Sequence, residues 1–260
     1  MIDLKNEAVR AVVREHYGLI ARGDQNSCCG TDGCCGDSKS QSRELGYGIQ
    51  ELATLPDGAN LGLGCGNPQA IAALKSGETV LDLGSGAGID CFLAAKSVGS
   101  GGHVIGVDMT HDMLNRARNN AAKGNYANVE FRLGEIEHLP IADGTVDVIL
   151  SNCVINLSPD KAQVFREAFR VLKTGGRLAI SDMVASGPLP DSLKQDLVKH
   201  SQCISGATPL PELETYLAEA GFASIQIRPK AESRSFVKDW APGTGIEDFI
   251  LSATIEAVKP

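Results

Sequence analysis

The sequence predicts an α/β fold built on a parallel sheet with helices on both faces. Three observations predict it. Short apolar runs alternate with helical stretches from Glu78 onward, and a glycine-rich turn joins the first run to the helix after it. The chain is also large enough for one substantial core, with 260 residues of which 43% are apolar.

The elements follow in order. Residues 3–20 read as an opening helix, because Val9, Val13 and Tyr17 recur at i, i+4 and i+8 with Val12 and Ile20 on the same stripe; Gly23 ends it. Residues 23–42 contain no large apolar side chain, which predicts a flexible loop unless something binds its cysteines. From there the pattern is regular: a strand over Thr79–Leu83, a helix to about Val98, a strand over His103–Asp108, a helix through about Lys123 and a strand over Val129–Leu133. A strand over Val146–Ser151, a helix over about Lys161–Leu172 and a strand over Arg177–Ser181 continue it. Pro209 and Pro211 introduce a helix over about Glu212–Glu219, ended by Gly221 and followed by strands over Ser224–Arg228 and Phe249–Ala257. The domain reading is therefore an N-terminal helix (1–22), a Cys-rich loop (23–42) and one α/β domain (43–260) with no further C-terminal domain.

Charge narrows the partners. Twenty-four basic against 32 acidic residues give a net charge of −8 and a pI near 5.2, so no basic face is expected to attract nucleic acid. No apolar run reaches membrane length, and charges spread through residues 1–22 leave no signal-peptide core. The expected location is cytoplasmic and the expected state a monomer. In that compartment eight cysteines point to metal or metalloid binding, redox chemistry or plain burial rather than a disulfide framework.

Two segments carry alternating glycines, LGLGCGNP at 61–68 and VLDLGSGAGID at 80–90. Only the second follows a convincing strand and opens a helix, the context in which such a loop cradles a ligand against a helix N-terminus. Its Gly84, Gly86 and Gly88 space as G-x-G-x-G rather than as the dinucleotide fingerprint, and Asp82 sits at the strand end. Asp108 closes the next strand, a place suited to accept hydrogen bonds from ribose hydroxyls. These residues resemble the S-adenosylmethionine-dependent methyltransferases of the Rossmann-like class I fold. The resemblance implies a seven-stranded, mostly parallel sheet with an antiparallel last strand. It also implies that Asp82 receives the methionine ammonium, that Gly84 and Gly86 admit the ligand to the backbone, and that Asp108 holds the ribose with Met109 on the adenine. The Ile136 amide and the Glu135 carboxylate, where the wider class has Asp, would flank the adenine edge; Asn152 would face the methionine end.

The parallel topology sends the strand carboxyl ends to one rim. Cys153 follows the fourth strand in SNCVINLSPDK, Cys203 lies fifty residues further on (203 − 153), and Cys65 sits in LGLGCGNP ahead of the first strand, where its loop can fold over the cofactor. Cys91, inside the FLAA helix run, reads as a buried core residue. With VLDLGSGAGIDCFLAA and FREAFRVLKTGGRLAISD, these contexts resemble the arsenite methyltransferases in order, over essentially the whole chain from about residue 25. The resemblance implies As(III) bound by Cys65, Cys153 and Cys203, soft donors for a soft centre. An upstream cysteine would take part in capture or thiol exchange, with Cys34 or Cys35 favoured over Cys28 and Cys29.

On this reading the arsenic lone pair is the nucleophile, so no general base is needed, and mono- and dimethylated arsenicals are the expected products. Arsenic is formally oxidised by each transfer, and glutathione or thioredoxin, or an upstream cysteine, returns the electrons. Two other readings compete: carbon methylation of a quinone or sterol precursor on the same fold, and a non-catalytic metalloid or zinc sensor built on the Cys-rich loop. The Cys pairs lack the C-x-x-C spacing and neighbouring histidines of a zinc site.

Overall fold

The computed structural model describes residues 4–23, 38–187, 204–241 and 243–260. Among the described residues four helices precede the sheet: α1 (Leu4–Arg22), α2 (Ser38–Glu44), α3 (Ile49–Ala53) and α4 (Gln69–Ala72). Strands and helices then alternate as β1 (Thr79–Leu83), α5 (Ile89–Val98), β2 (His103–Asp108), α6 (His111–Lys123), β3 (Val129–Leu133), β4 (Val146–Asn152), α7 (Lys161–Val171) and β5 (Leu172–Ala185). The chain closes with β6 (Thr208–Pro209), α8 (Leu210–Ala220), β7 (Ala223–Pro229), α9 (Arg234–Val237) and β8 (Ile250–Val258).

The sheet runs β3-β2-β1-β4-β5-β8-β7, with β1 to β5 parallel and β8 antiparallel to both of its neighbours. The expected antiparallel last strand is thus present, and among the described residues the sheet counts eight strands because the two residues of β6 pair with Val184 and Ala185. β5 is longer than its sequence suggests. Its KTGG stretch reads as a turn, yet the strand begins at Leu172 and continues through a register irregularity opposite Val146/Val148. Its Arg177–Ala185 stretch pairs with all nine residues of β8, and Val184 and Ala185 pair with β6 on the other edge.

Alternation along β1 explains both the core and the site. Leu81 and Leu83 face one layer with Phe165 and Ala168 of α7, whereas Val80 faces the other with Phe92 of α5 and Leu114 of α6. Asp82 shares the parity of Val80 and so points toward α5. A third apolar cluster gathers Val13, Cys65, Cys153, Met183, Ile204 and Ile250. Phe165 is fully buried, so Phe165→Ala is expected to cost about 3–5 kcal/mol, read as a lowered urea midpoint with an unchanged m-value.

Candidate active site

A cleft of about 1030 Å³, part of it open to solvent, lies at the carboxyl ends of β1, β2 and β4. Its floor carries Asp82, Asp108 and Asn152, each the last or next-to-last residue of its strand. The glycine loop forms one side, and Leu61, Leu63 and Gly64 form another. The first glycine segment therefore does not cradle a ligand at a helix N-terminus; it folds over the cleft as a wall, as its position ahead of β1 suggested. Arg10, Val13 and Tyr17 of α1 also line the cleft, a role that periodicity alone does not reveal.

The glycines differ in what they require. Gly84 has φ +66, and a Cβ there would lie 2.2 Å from Val154 Cγ2. At Gly86, φ +51, a Cβ would meet nothing within 4 Å, so bare backbone faces the open cleft. The Gly86 N–H donates to Asp108 Oδ2 at 2.9 Å and the Thr110 N–H to its Oδ1 at 2.8 Å, which fixes the carboxylate at the rim.

Around Asp82 the electrostatics are unusual. Burial pushes its carboxyl well above the ordinary carboxylate range and the Asp90 charge adds to this, against a hydrogen bond from the Cys91 thiol at 3.2 Å. Asp90 is itself pushed up to about 6 by burial, while Tyr47 Oη donates to both of its oxygens at 3.0 Å. Cys91 is buried as expected, but it also orients Asp82. Such a floor suits a cationic ligand group. The Ser85 hydroxyl, buried at the cleft and without a hydrogen-bond partner, leaves a polar contact to be made there. Two buried carboxylates, an orphaned hydroxyl and an open glycine cradle fit S-adenosylmethionine.

The adenine edge needs a refinement. Glu135 turns to Arg10 and Arg14 at 3.4 Å each, whereas Glu137, buried and held by Arg10 at 3.2 Å and by Ser158 Oγ at 2.7 Å, faces the cleft beside Ile136. Met109 also lines the cleft.

Cys65 and Cys153, 88 residues apart, come together with Cα atoms 5.7 Å apart and their sulfurs joined as a disulfide. Cys203, Cys34 and Cys35, with Cys28 and Cys29, lie outside the described residues. Ile204, adjacent to Cys203, is fully buried in the cluster that holds Cys65 and Cys153. Sequence reasoning missed Tyr47, Asp90, Glu137, Asn156 and Asp182. For Asp182 the signal was available: a lone acid in the apolar run LAISDMVA.

A methyltransferase-domain family model matches residues 74–227. Fold and cleft together define an S-adenosylmethionine-dependent class I methyltransferase. An arsenite methyltransferase of Halobacterium salinarum is 51% identical over 99% of this chain and 68% of its own length. One from Aquipseudomonas alcaligenes is 42% identical over 83% of this chain and 62% of its own. The crystal structure of an arsenic(III) S-adenosylmethionine methyltransferase from Chlamydomonas reinhardtii matches with a TM-score of 0.62 at 30% identity, covering 84% of this chain and 73% of that one. The chain belongs to the arsenite methyltransferase family, and it spans a little over or a little under two thirds of the length of the two curated relatives.

Burial raises Asp182, like Asp90, from 3.8 to about 6. A carboxyl with a raised folded value binds its proton more tightly when folded. Its stabilising contribution is fully present below the unfolded value and is lost as the pH rises through about 6. Carboxyl carbon NMR titration is expected to place both midpoints near 6 in the free protein, well above those of exposed aspartates.

Proposed function

We propose that this protein methylates arsenite held by cysteine thiolates, with S-adenosylmethionine as donor. The observation that carries this reading is the meeting of Cys65 and Cys153, remote in sequence, beside a cleft whose wall includes Cys153 itself. Cys203 is the third proposed ligand; its neighbour Ile204 packs in the same cluster. S-adenosylmethionine supplies, when bound, a methyl group activated by a positively charged sulfur.

The residues of the chain do the rest. Asp82 receives the ammonium of the donor, Asp108 the ribose hydroxyls, and Glu137 with Ile136 borders the adenine. Glu135 acts at one remove, by pairing with Arg14 and with Arg10, which lines the cleft. Asn152 contributes chiefly through the Cys65 loop, since both of its amide hydrogens are engaged by protein atoms, Tyr47 Oη at 2.9 Å and Gly66 O at 2.8 Å. The cysteine thiols displace hydroxide from arsenite and hold the arsenic with its lone pair free toward the cleft. Alignment of that lone pair with the methyl carbon, rather than proton transfer, is the catalytic contribution of the cysteines.

The joined Cys65–Cys153 pair offers no thiol for arsenic. Each round therefore begins with reduction by a dithiol or by two monothiols, for which glutathione and thioredoxin are the proposed sources. Cys34 or Cys35 is the proposed internal relay, and the protein is proposed to act as a cytoplasmic monomer making mono- and dimethylated products. No helix among the described residues is long and apolar enough to cross a membrane.

The test incubates the purified chain with arsenite, S-adenosylmethionine and a thiol, and separates arsenic species by chromatography. Methylated arsenic is expected, and its absence under reducing conditions ends the reading. Two further outcomes are expected. Protein oxidised at Cys65–Cys153 retains no arsenite in equilibrium dialysis until a thiol is added, and Cys153→Ser abolishes retention while leaving S-adenosylmethionine binding intact; carbon methylation of an organic acceptor would survive that change. Asp82→Asn, by contrast, weakens S-adenosylmethionine binding roughly 10- to 100-fold in calorimetry, the loss of one buried charge-assisted hydrogen bond.

A further inference from the structure

Cys153 has φ +59, a left-handed conformation rare for any residue that carries a Cβ and kept only where the surroundings over-determine it. The surroundings here are a buried polar knot behind the turn. The Cys153 N–H donates to Ser181 O at 2.8 Å. Asp182, next along β5, accepts from the Ile155 N–H at 3.0 Å, from Asn156 Nδ2 at 2.8 Å and from the Met183 N–H at 2.7 Å. Asn156 spends its other amide hydrogen on Met183 O at 2.6 Å, and its oxygen accepts from the Thr208 hydroxyl at 3.4 Å. Asn156, Asp182 and Thr208 are all buried, so water cannot substitute for any of these bonds. One oxygen of Asp182 and the sulfurs of Cys65 and Cys153 lie within 4.8 Å of one another.

We propose that Asn156 is a positioning residue for the Cys153 thiol, tying the turn after Cys153 to β5 through Asp182 and Met183, and to β6 through Thr208. Its effect is to hold the Cys153 sulfur opposite Cys65, so that the pair, once reduced, faces one trivalent arsenic together. The substrate in this statement rests on the proposed function; the positioning of the two sulfurs does not. Asn156 itself does not line the cleft, although Val154, Leu157 and Ser158 of the same turn do, so donor binding is measured beside the thiol readouts.

Asn156→Ala, Thr208→Val and Thr208→Ser are compared with the unaltered chain in three measurements. These are the KM for arsenite, the Kd for S-adenosylmethionine, and the glutathione equilibrium of the Cys65–Cys153 disulfide, followed by mass spectrometry of the linked peptides. Asn156→Ala is expected to raise the arsenite KM about tenfold and to shift the thiol equilibrium about tenfold toward the reduced pair, because misplaced thiols have a lower effective concentration. S-adenosylmethionine binding stays within about twofold, the scatter expected of a site with no shared partner. Thr208→Val gives a change of about two- to threefold in the same two quantities, as befits one long hydrogen bond, and Thr208→Ser restores them.

A folded Asn156→Ala protein with arsenite KM and thiol equilibrium unchanged overturns the proposal, as does an equal loss of affinity for arsenite and donor. If Asn156→Ala does not fold, the Thr208 pair decides, and Thr208→Val behaving like the unaltered chain overturns it. Should the unaltered chain fail to methylate arsenite while Asn156→Ala still shifts the thiol equilibrium, the substrate reading falls and the positioning role stands.

Discussion

The hydrogen bonds of Asn152 are the constraint on which the site depends. Its oxygen accepts from the Cys65 N–H at 3.0 Å, and its two amide hydrogens go to Gly66 O and to Tyr47 Oη. Asn152 ends β4 and immediately precedes Cys153, so a single side chain fixes the Cys65 backbone to the residue before the second cysteine. Gly64 is part of the same fit, since a Cβ there would lie 2.8 Å from Asn152 Nδ2. Tyr47 carries the linkage on to Asp90, which lines the donor cleft. The cysteine pair and the donor floor are therefore one hydrogen-bonded unit, and their relative placement does not depend on loop packing alone.

The acids beneath the cleft follow from this arrangement. Asp82 and Asp90 lie close together in a buried position where two negative charges are costly, and both carboxyls are accordingly raised. Tyr47, Gln69 and the Cys91 thiol soften that cost without removing it. A cationic ligand group completes the balance, so a floor that destabilises the free protein favours the occupied one. Arg10, paired with Glu135 and Glu137, lines the cleft together with Val13 and Tyr17, which makes α1 part of the site although it is the element furthest from the sheet in sequence.

How much of this was legible depended on whether a residue's role is local. The strands β1, β2 and β3 match their sequence ranges residue for residue, because β1 and β2 are short, mostly apolar runs and β3 alternates apolar with charged residues, each flanked by turn residues. The start of β5 was not legible: Lys173–Gly176 has the composition of a turn, and the strand crosses it through a register irregularity, paired with β4 at Leu172 and again from Arg177, with Gly175 and Gly176 bonded to the Lys259 backbone just past β8. Asp82, Asp108, Met109 and Ile136 could be named from motif position, and the structure places all four at the cleft. Glu135 and Glu137 could not be told apart, since two residues of spacing in an irregular loop say nothing about which carboxylate turns inward. Arg10 and Asn156 were invisible for a different reason. Their partners are 127 and 26 residues away, and an ion pair or a buried amide knot leaves no periodicity to read.

The apolar setting of the cysteine pair bears on which soft centre it receives. Cys65 and Cys153 sit in a cluster with Val13, Leu157, Met183 and Ile204, and Asp182 is the one carboxylate among the described residues grouped with them. A divalent cation held there by two thiolates and a carboxylate leaves a net negative charge in apolar surroundings, which such a pocket penalises. Arsenite differs in its proton balance. It is neutral, and each thiol that replaces a hydroxide releases one water, so three thiols and arsenite become a neutral arsenic trithiolate and three waters. No net charge is buried at any stage of that exchange. The same cluster that disfavours a resident zinc ion is thus a suitable medium for a neutral metalloid, while the buried acids Asp82 and Asp90 at the cleft suit a cationic group there instead.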